Sequence, residues 1–183
     1  MRLLLIAVIF ASSAQAELSL APKVGEYALD GVKFQRLVFS DGDKVVTYQP
    51  PRGWEYSGNA TTLSLRPPNK AQAEATVSRI ALPKPGSFDE ESLEKLVDEA
   101  IAQVPKGSEN VVVISQEMSL MIQGKATFLV TLSYTSYGQK YGRSILFLNR
   151  GNEQIRSQLT CREADFNALH QAFLASQYTW QHL

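Results

Sequence analysis

Histidine and cysteine are nearly absent from this 183-residue chain, which holds two histidines, His170 and His182, and one cysteine, Cys161. A structural zinc site normally takes four Cys or His ligands, and two histidines twelve residues apart do not form a chelating helical pair. A lone cysteine excludes an internal disulfide, so the fold has to rest on its core. Charge of one sign is not in excess either: 18 basic residues face 18 acidic ones. That balance removes the basic footprint of a nucleic-acid binder and the long-range pull on anionic surfaces. Also missing are a Gly-x-Ser-x-Gly elbow, a glycine-rich phosphate loop and a dinucleotide fingerprint. Long apolar runs are scarce as well. A spanning helix needs about 20 apolar residues, and the strongest internal run, Ile145 to Leu148, stops at Asn149. We expect no integral membrane segment, no cofactor and no metal.

The longest apolar run is Leu3 to Phe10. It follows Met1-Arg2 and precedes a small-residue stretch ending Ala14-Gln15-Ala16, the layout of a cleavable secretory signal. Cleavage is expected after Ala16, giving a secreted or periplasmic protein. Residues 17–183 would form a single domain. Removing residues 1–16 takes away Arg2 and no acid, leaving 17 basic and 18 acidic groups. With 44% hydrophobic and 20% charged residues, a chain of this length buries roughly 70% of its unfolded surface without staples.

Asp30-Gly31 between Val24–Leu29 and Val32–Phe39 is a two-residue hairpin signal, because such turns favour residues that tolerate positive φ. Asp41-Gly42-Asp43 opens like a calcium loop, but Lys44 and Val45 follow where oxygen ligands should stand, so it reads as a second hairpin turn. Pro50-Pro51-Arg52-Gly53 breaks the next strand before Trp54. Further strands are expected at Thr61–Arg66 and Ala73–Leu82. Ser87 and Glu90 have the spacing of a capping box. Leu93, Leu96, Val97, Ala100, Ile101 and Val104 then recur at three and four, the apolar face of a helix ended by Pro105. Asp89, Glu90 and Glu91 read as a capped helix start. After a strand from Val111, the segment Lys125–Tyr137 alternates: Phe128, Val130, Leu132 and Tyr134 form one face, and the other is mostly hydroxyl-bearing. Arg143–Asn149 and Glu153–Cys161 flank a further turn, and a helix near Asp165–Ser176 closes the chain. The pattern predicts an α+β domain, a largely antiparallel β-sheet with one long amphipathic helix and a C-terminal helix packed on it.

Three details carry a resemblance: Pro51-Arg52-Gly53-Trp54 after an early strand, the amphipathic helix Phe88–Val104 before a long meander, and Phe173-x-x-Ser176-x-x-x-Trp180 at the close. Together they resemble the PsbP-like fold over about Gly25 to Trp180. That fold is shared by an extrinsic photosystem subunit, a Ran-binding nuclear-import factor and assorted exported bacterial proteins. The resemblance implies protein binding, with metal ions associated in some members. None of the photosystem or Ran-binding contacts carries over to residues of this chain.

Candidate chemistry is thin. A Cys161–His170 dyad would need a lowered thiol pKa in an open site, whereas alternation turns Cys161 inward with Ile155 and Leu159. His170 is expected half-buried beside the apolar face of the last helix. Glu55, Glu74, Glu117 and Glu153 are carboxylates that a sheet could bring together. Recognition residues are better represented. Tyr137, Lys140, Tyr141 and Arg143 edge a hairpin tip with the residue types favoured at binding hot spots, and Tyr134 beside them reads as core. Gln154, Arg156 and Gln158, continuing to Arg162, offer a second outward face. The sequence therefore points to an exported, non-catalytic binding or accessory protein recognising a protein or envelope component. The alternatives are an exported hydrolase with a site assembled from separated residues, and a small-ligand carrier using the space between helix and sheet.

Overall fold

Tight turns set the strand register. In the computed structural model, which describes residues 17–118 and 121–183, Asp30 and Gly31 both adopt positive φ, 50° and 79°. They join β1 (Leu18–Leu29) to β2 (Val32–Asp41), and Gly42 turns β2 into β3 (Lys44–Tyr48). The signal segment expected at 1–16 lies outside the described residues. Then come β4 (Glu55–Gly58), β5 (Thr62–Arg66), β6 (Glu74–Ala81), α1 (Glu90–Ala102), β7 (Glu109–Glu117) and β8 (Met121–Ile122). The chain finishes with β9 (Lys125–Ser136), β10 (Gln139–Arg150), β11 (Glu153–Arg162) and α2 (Glu163–Gln177). The ladders between these strands are antiparallel, as the α+β reading requires.

The strands form two sheets where the sequence pattern indicated one. β1-β2-β3 stand alone, and an eight-stranded sheet runs β4-β5-β6-β11-β10-β9-β7 with β8 beside β9. The division falls at Pro50-Pro51, where the chain cannot continue a ladder because proline lacks the donor. Gly53 at φ 77° then redirects it into β4.

Both faces of the large sheet are covered. On one, Phe128, Val130, Leu132, Ile145 and Phe147 pack under Leu96 and Ala100 of α1. On the other, Leu129, Leu146, Leu148, Leu159 and Cys161 meet Phe166 and Phe173 of α2, with Phe39, Tyr48 and Trp180 in the same cluster. The hydroxyl-bearing face of β9 is thus interior, and Thr127 and Thr131 are buried. Gly142 permits this closeness: a Cβ there would run into the Phe166 ring.

Helix α1 begins differently from the expected capping box. Asp89 is the N-cap, accepting from the Ser92 backbone N–H at 2.9 Å, while the Ser87 hydroxyl donates to its carboxylate at 2.7 Å. Aspartate caps at least as well as serine, and these hydrogen bonds from Ser87 and Ser92 hold its carboxyl down to about 2. Ile101, expected in the core, is exposed. The last helix is longer than its pattern indicated, Glu163–Gln177.

Two joints tie the sheets together. At one, Glu153 of β11 takes Arg79 of β6 at 2.9 Å and Arg150 of β10 at 3.0 Å; Arg150 reaches Asp41 of β2, and Arg79 reaches Glu17 at 2.7 Å. At the other, Tyr48 of β3 shares a 2.7 Å hydrogen bond with Ser176, and Ser157 of β11 donates to Gln177 Oε1 at 2.8 Å. Trp180 Nε1 donates to the same oxygen at 3.2 Å. Gln181 then pairs with Thr47 of β3 through two backbone hydrogen bonds.

At the far edge, β7 pairs only with β9 among the described strands. Its register slips twice, between Glu109 and Val112 and between Val113 and Ser115. Such bulges bend a strand and increase its local twist. Val112 and Ile114 are exposed there.

Candidate functional site

The hairpin tip named by the sequence forms, and its residues divide between surface and interior. Tyr137 (φ 49°) and Gly138 (φ 71°) make the two-residue turn between β9 and β10. Tyr137 is wholly exposed. Lys140 is also exposed, 3.9 Å from Glu163 at the start of α2. Tyr141 pairs with Tyr134 across the ladder and stacks on it at 5.6 Å, while its hydroxyl donates to Gln72 Oε1 at 3.1 Å. Gln72 also receives Arg162 Nε. A shallow depression of about 340 Å³ lies here, lined by residues 69–73, Arg162 and Asp165. Lys70 and Asp165 are ion-paired across it at 2.6 Å.

Arg143 departs from the reading that placed it at the tip surface. It is 7% exposed, with its guanidinium over the Tyr134 ring, Nε donating to Thr160 Oγ1 at 2.9 Å and Nη1 to the Gln103 carbonyl. Gln103 is the C-cap of α1, so Arg143 satisfies a helix end from below. Burial pushes its pKa down from the usual arginine value. The cause of the misplacement is clear: alternation puts Arg143 on the face of Ile145 and Phe147, and α1 covers that face. The second outward face is covered too. Gln154 is buried against Asn149 and Arg156, and Arg156 lies over Phe147 and reaches Glu99 of α1 at 2.6 Å. Gln158 is half-buried and only Arg162 is exposed.

The other titratable candidates are structural in placement. Tyr134 is buried, as expected, and burial raises its pKa. Cys161 is fully buried; burial first, and Asp165 second, push its thiol up to about 11. We expect thiol alkylation to stay slow in the folded protein to at least pH 9 and to become fast on denaturation. A native rate matching the denatured one would overturn this, and mass spectrometry after iodoacetamide quench reads it. His170 is half-buried, stacked on Phe166 at 4.9 Å, and desolvation lowers its pKa. Of the four glutamates, Glu153 sits between Arg79 and Arg150, Glu74 lies 3.8 Å from Arg66, and Glu55 and Glu117 are exposed. Among the described residues no group of three His, Cys, Asp or Glu is placed to hold a metal ion. No helix among them is long and apolar enough to cross a membrane. The space between α1 and the sheet, offered to a small ligand by one alternative, is filled by Phe128, Phe147 and their neighbours.

A concavity that the sequence did not single out lies between the β1–β2 hairpin and the loop at 50–54. Its volume is about 670 Å³, and its lining includes Tyr27, Lys33, Phe34, Arg36, Arg52 and Trp54. Tyr27 and Phe34 are cross-strand partners, stacked at 5.3 Å. The Arg36 guanidinium lies 5.3 Å from the centre of the Tyr27 ring. The signal in the sequence was an aromatic and an arginine two apart on a strand, Phe34 and Arg36, which share a face.

No family model matches this chain, and no curated protein matches it in sequence. Solved structures do. The cyanobacterial PsbP (CyanoP) of Synechocystis sp. PCC 6803 superposes with a TM-score of 0.51 at 10% identity, covering 96% of this chain and 98% of that one. LpqN, involved in cell envelope biogenesis of Mycobacterium tuberculosis, gives 0.51 at 10% identity over 74% of this chain and 82% of its own. A Pseudomonas aeruginosa protein of unknown function gives 0.49 at 16% identity, covering 85% and 94%. The fold is PsbP-like, as the three sequence details implied.

Proposed function

We propose that this protein is an exported, non-catalytic accessory protein that binds a protein or envelope component through the tip between β9 and β10. The observation that carries the reading is Tyr137, a wholly exposed tyrosine held at φ 49°. An L-residue with a Cβ in the left-handed region costs about 1–2 kcal/mol, and hairpin turns of this kind favour Asn or Asp there. A strained aromatic in full solvent contributes nothing to the core. It does bring area and a polar handle to a partner at little cost in side-chain entropy. Lys140 and Tyr141 lie beside it, and Arg143 supports the stack underneath.

Cleavage after Ala16, which we propose, would keep Leu18 and Leu20, both fully buried, in the exported chain. That the similar structures include an envelope-biogenesis protein agrees with the reading.

Tyr137→Asn separates binding from stability. Asparagine suits the turn, so the variant should gain about 1 kcal/mol of stability while losing the partner recovered by the wild type from an envelope extract. Unchanged recovery would remove the tip as the binding surface.

A further inference from the structure

We infer that the concavity bounded by Tyr27, Phe34, Arg36, Arg52 and Trp54 is a binding site for a small anionic amphiphile, an acyl or similar apolar body carrying one carboxylate or phosphate. The inference stands apart from the tip and does not depend on it.

Charge comes first. Lys33, Arg36 and Arg52 line the groove and no acidic residue does. Arg36 also lines an adjoining hollow of about 450 Å³ with Lys44 and His182, again without an acid. Lys33 has a neighbour in Glu26 at 3.6 Å, but both side chains are largely in solvent, where such a pair is weak. Arg36 has no hydrogen-bond or ion-pair partner among the described residues, and its Nε is buried without an acceptor. Arg36 as a whole is half-buried, and a covered guanidinium N–H left unpaired is costly. The guanidinium instead lies over the Tyr27 ring, a cation–π placement. A guanidinium fork matches a carboxylate or phosphate in two-point geometry.

The walls supply the rest. Tyr27, Phe34 and Trp54 line the groove together with Pro50, Pro51 and Leu37. Trp54 is locked from behind, its ring parallel to Phe173 at 6.3 Å. The Tyr27 hydroxyl receives Gln49 Nε2, and Gln49 is itself tied through its backbone to Thr179. The site is therefore largely pre-formed, and its volume lies in the range of small-ligand pockets. A head group without a body would leave the aromatic walls unused; a body without a head group would leave Arg36 unpaired.

The chain has two tryptophans, one in this wall and one in the core, so indole resonances of 15N-labelled protein report the site with an internal control. Dodecyl phosphate and dodecanoate, each below its micelle-forming concentration, are expected to shift Trp54 and leave Trp180 in place. The tighter of the two names the preferred head group. Arg36→Gln should weaken the tighter probe about ten- to hundredfold. Should that variant fail to fold, Arg52→Gln at an exposed position is expected to weaken it by a smaller factor. The inference is overturned if neither anionic probe moves Trp54, if neutral dodecyl maltoside moves it equally, or if inorganic phosphate alone binds as tightly as dodecyl phosphate.

Discussion

Replacing Trp180 with alanine is expected to cost about 3–5 kcal/mol of folding stability, the range for a fully buried large aromatic. The indole has no solvent exposure. It stacks on Tyr48 at 4.4 Å and tilts against Phe39 at 5.4 Å, two residues of the small sheet. Its backbone carbonyl receives Gln123 Nε2 at 2.7 Å, and the Gln181 bridge to Thr47 follows directly. The side chain thus fills the space between the small sheet and the end of α2, where Gln177 holds its Nε1, and a hydrogen-bonded ladder facing a helix does not collapse into the gap it would leave. Urea denaturation followed by far-ultraviolet circular dichroism measures the effect. A loss below about 1 kcal/mol would mean that this space refills and that the small sheet and α2 are not held apart by this ring.

Gln177→Leu should cost about 2–6 kcal/mol, for a different reason. Leucine keeps the volume but removes Oε1, which accepts from both the Ser157 hydroxyl and Trp180 Nε1. Each buried donor left without an acceptor costs about 1–3 kcal/mol. The Tyr48 hydroxyl, 3.4 Å from Gln177 Nε2, keeps its shorter bond to Ser176, and burial raises its pKa above the usual tyrosine value. A double-mutant cycle distinguishes a polar hub from simple packing. Trp180→Phe removes one of the orphaned donors, so Gln177→Leu should cost less in that background than in the wild type. Additive costs would show that the hydrogen bond between Gln177 and Trp180 is not what stabilises the joint.

Much of the architecture could be read from local pattern. The spacing of Leu93, Leu96, Val97 and Ala100 located α1, and Asp30-Gly31 located the first hairpin, because a helix face and a two-residue turn are each specified within a few residues. Cys161 and Tyr134 were placed inward by alternation alone. What alternation does not contain is the identity of the covering layer. Arg143 and Arg156 look like surface residues on a strand, yet α1, some forty or more residues earlier, covers them. The joint formed by Tyr48, Ser157, Gln177 and Trp180 spans more than a hundred positions, and no window along the chain contains it. The groove beside Tyr27 was missed for the same reason, since Arg52 and Trp54 reach it from the other side of a proline break. The tip lies between these cases: its turn was legible, and the depth of Arg143 beneath it was not.

The bent edge strand β7 bears on how the protein behaves at high concentration. A long, straight strand carrying Val112 and Ile114 toward solvent would be a template on which further chains add, copy after copy. Two bulges within nine residues interrupt the row of donors and acceptors that a newcomer would have to match, and Glu109 and Glu117 place a like charge at each end. Among the described residues no further strand pairs with this edge, so the broken register is what works against growth along it. Variants that straighten β7, even ones that raise its strand propensity, therefore risk exchanging a dispersed protein for a fibrous one.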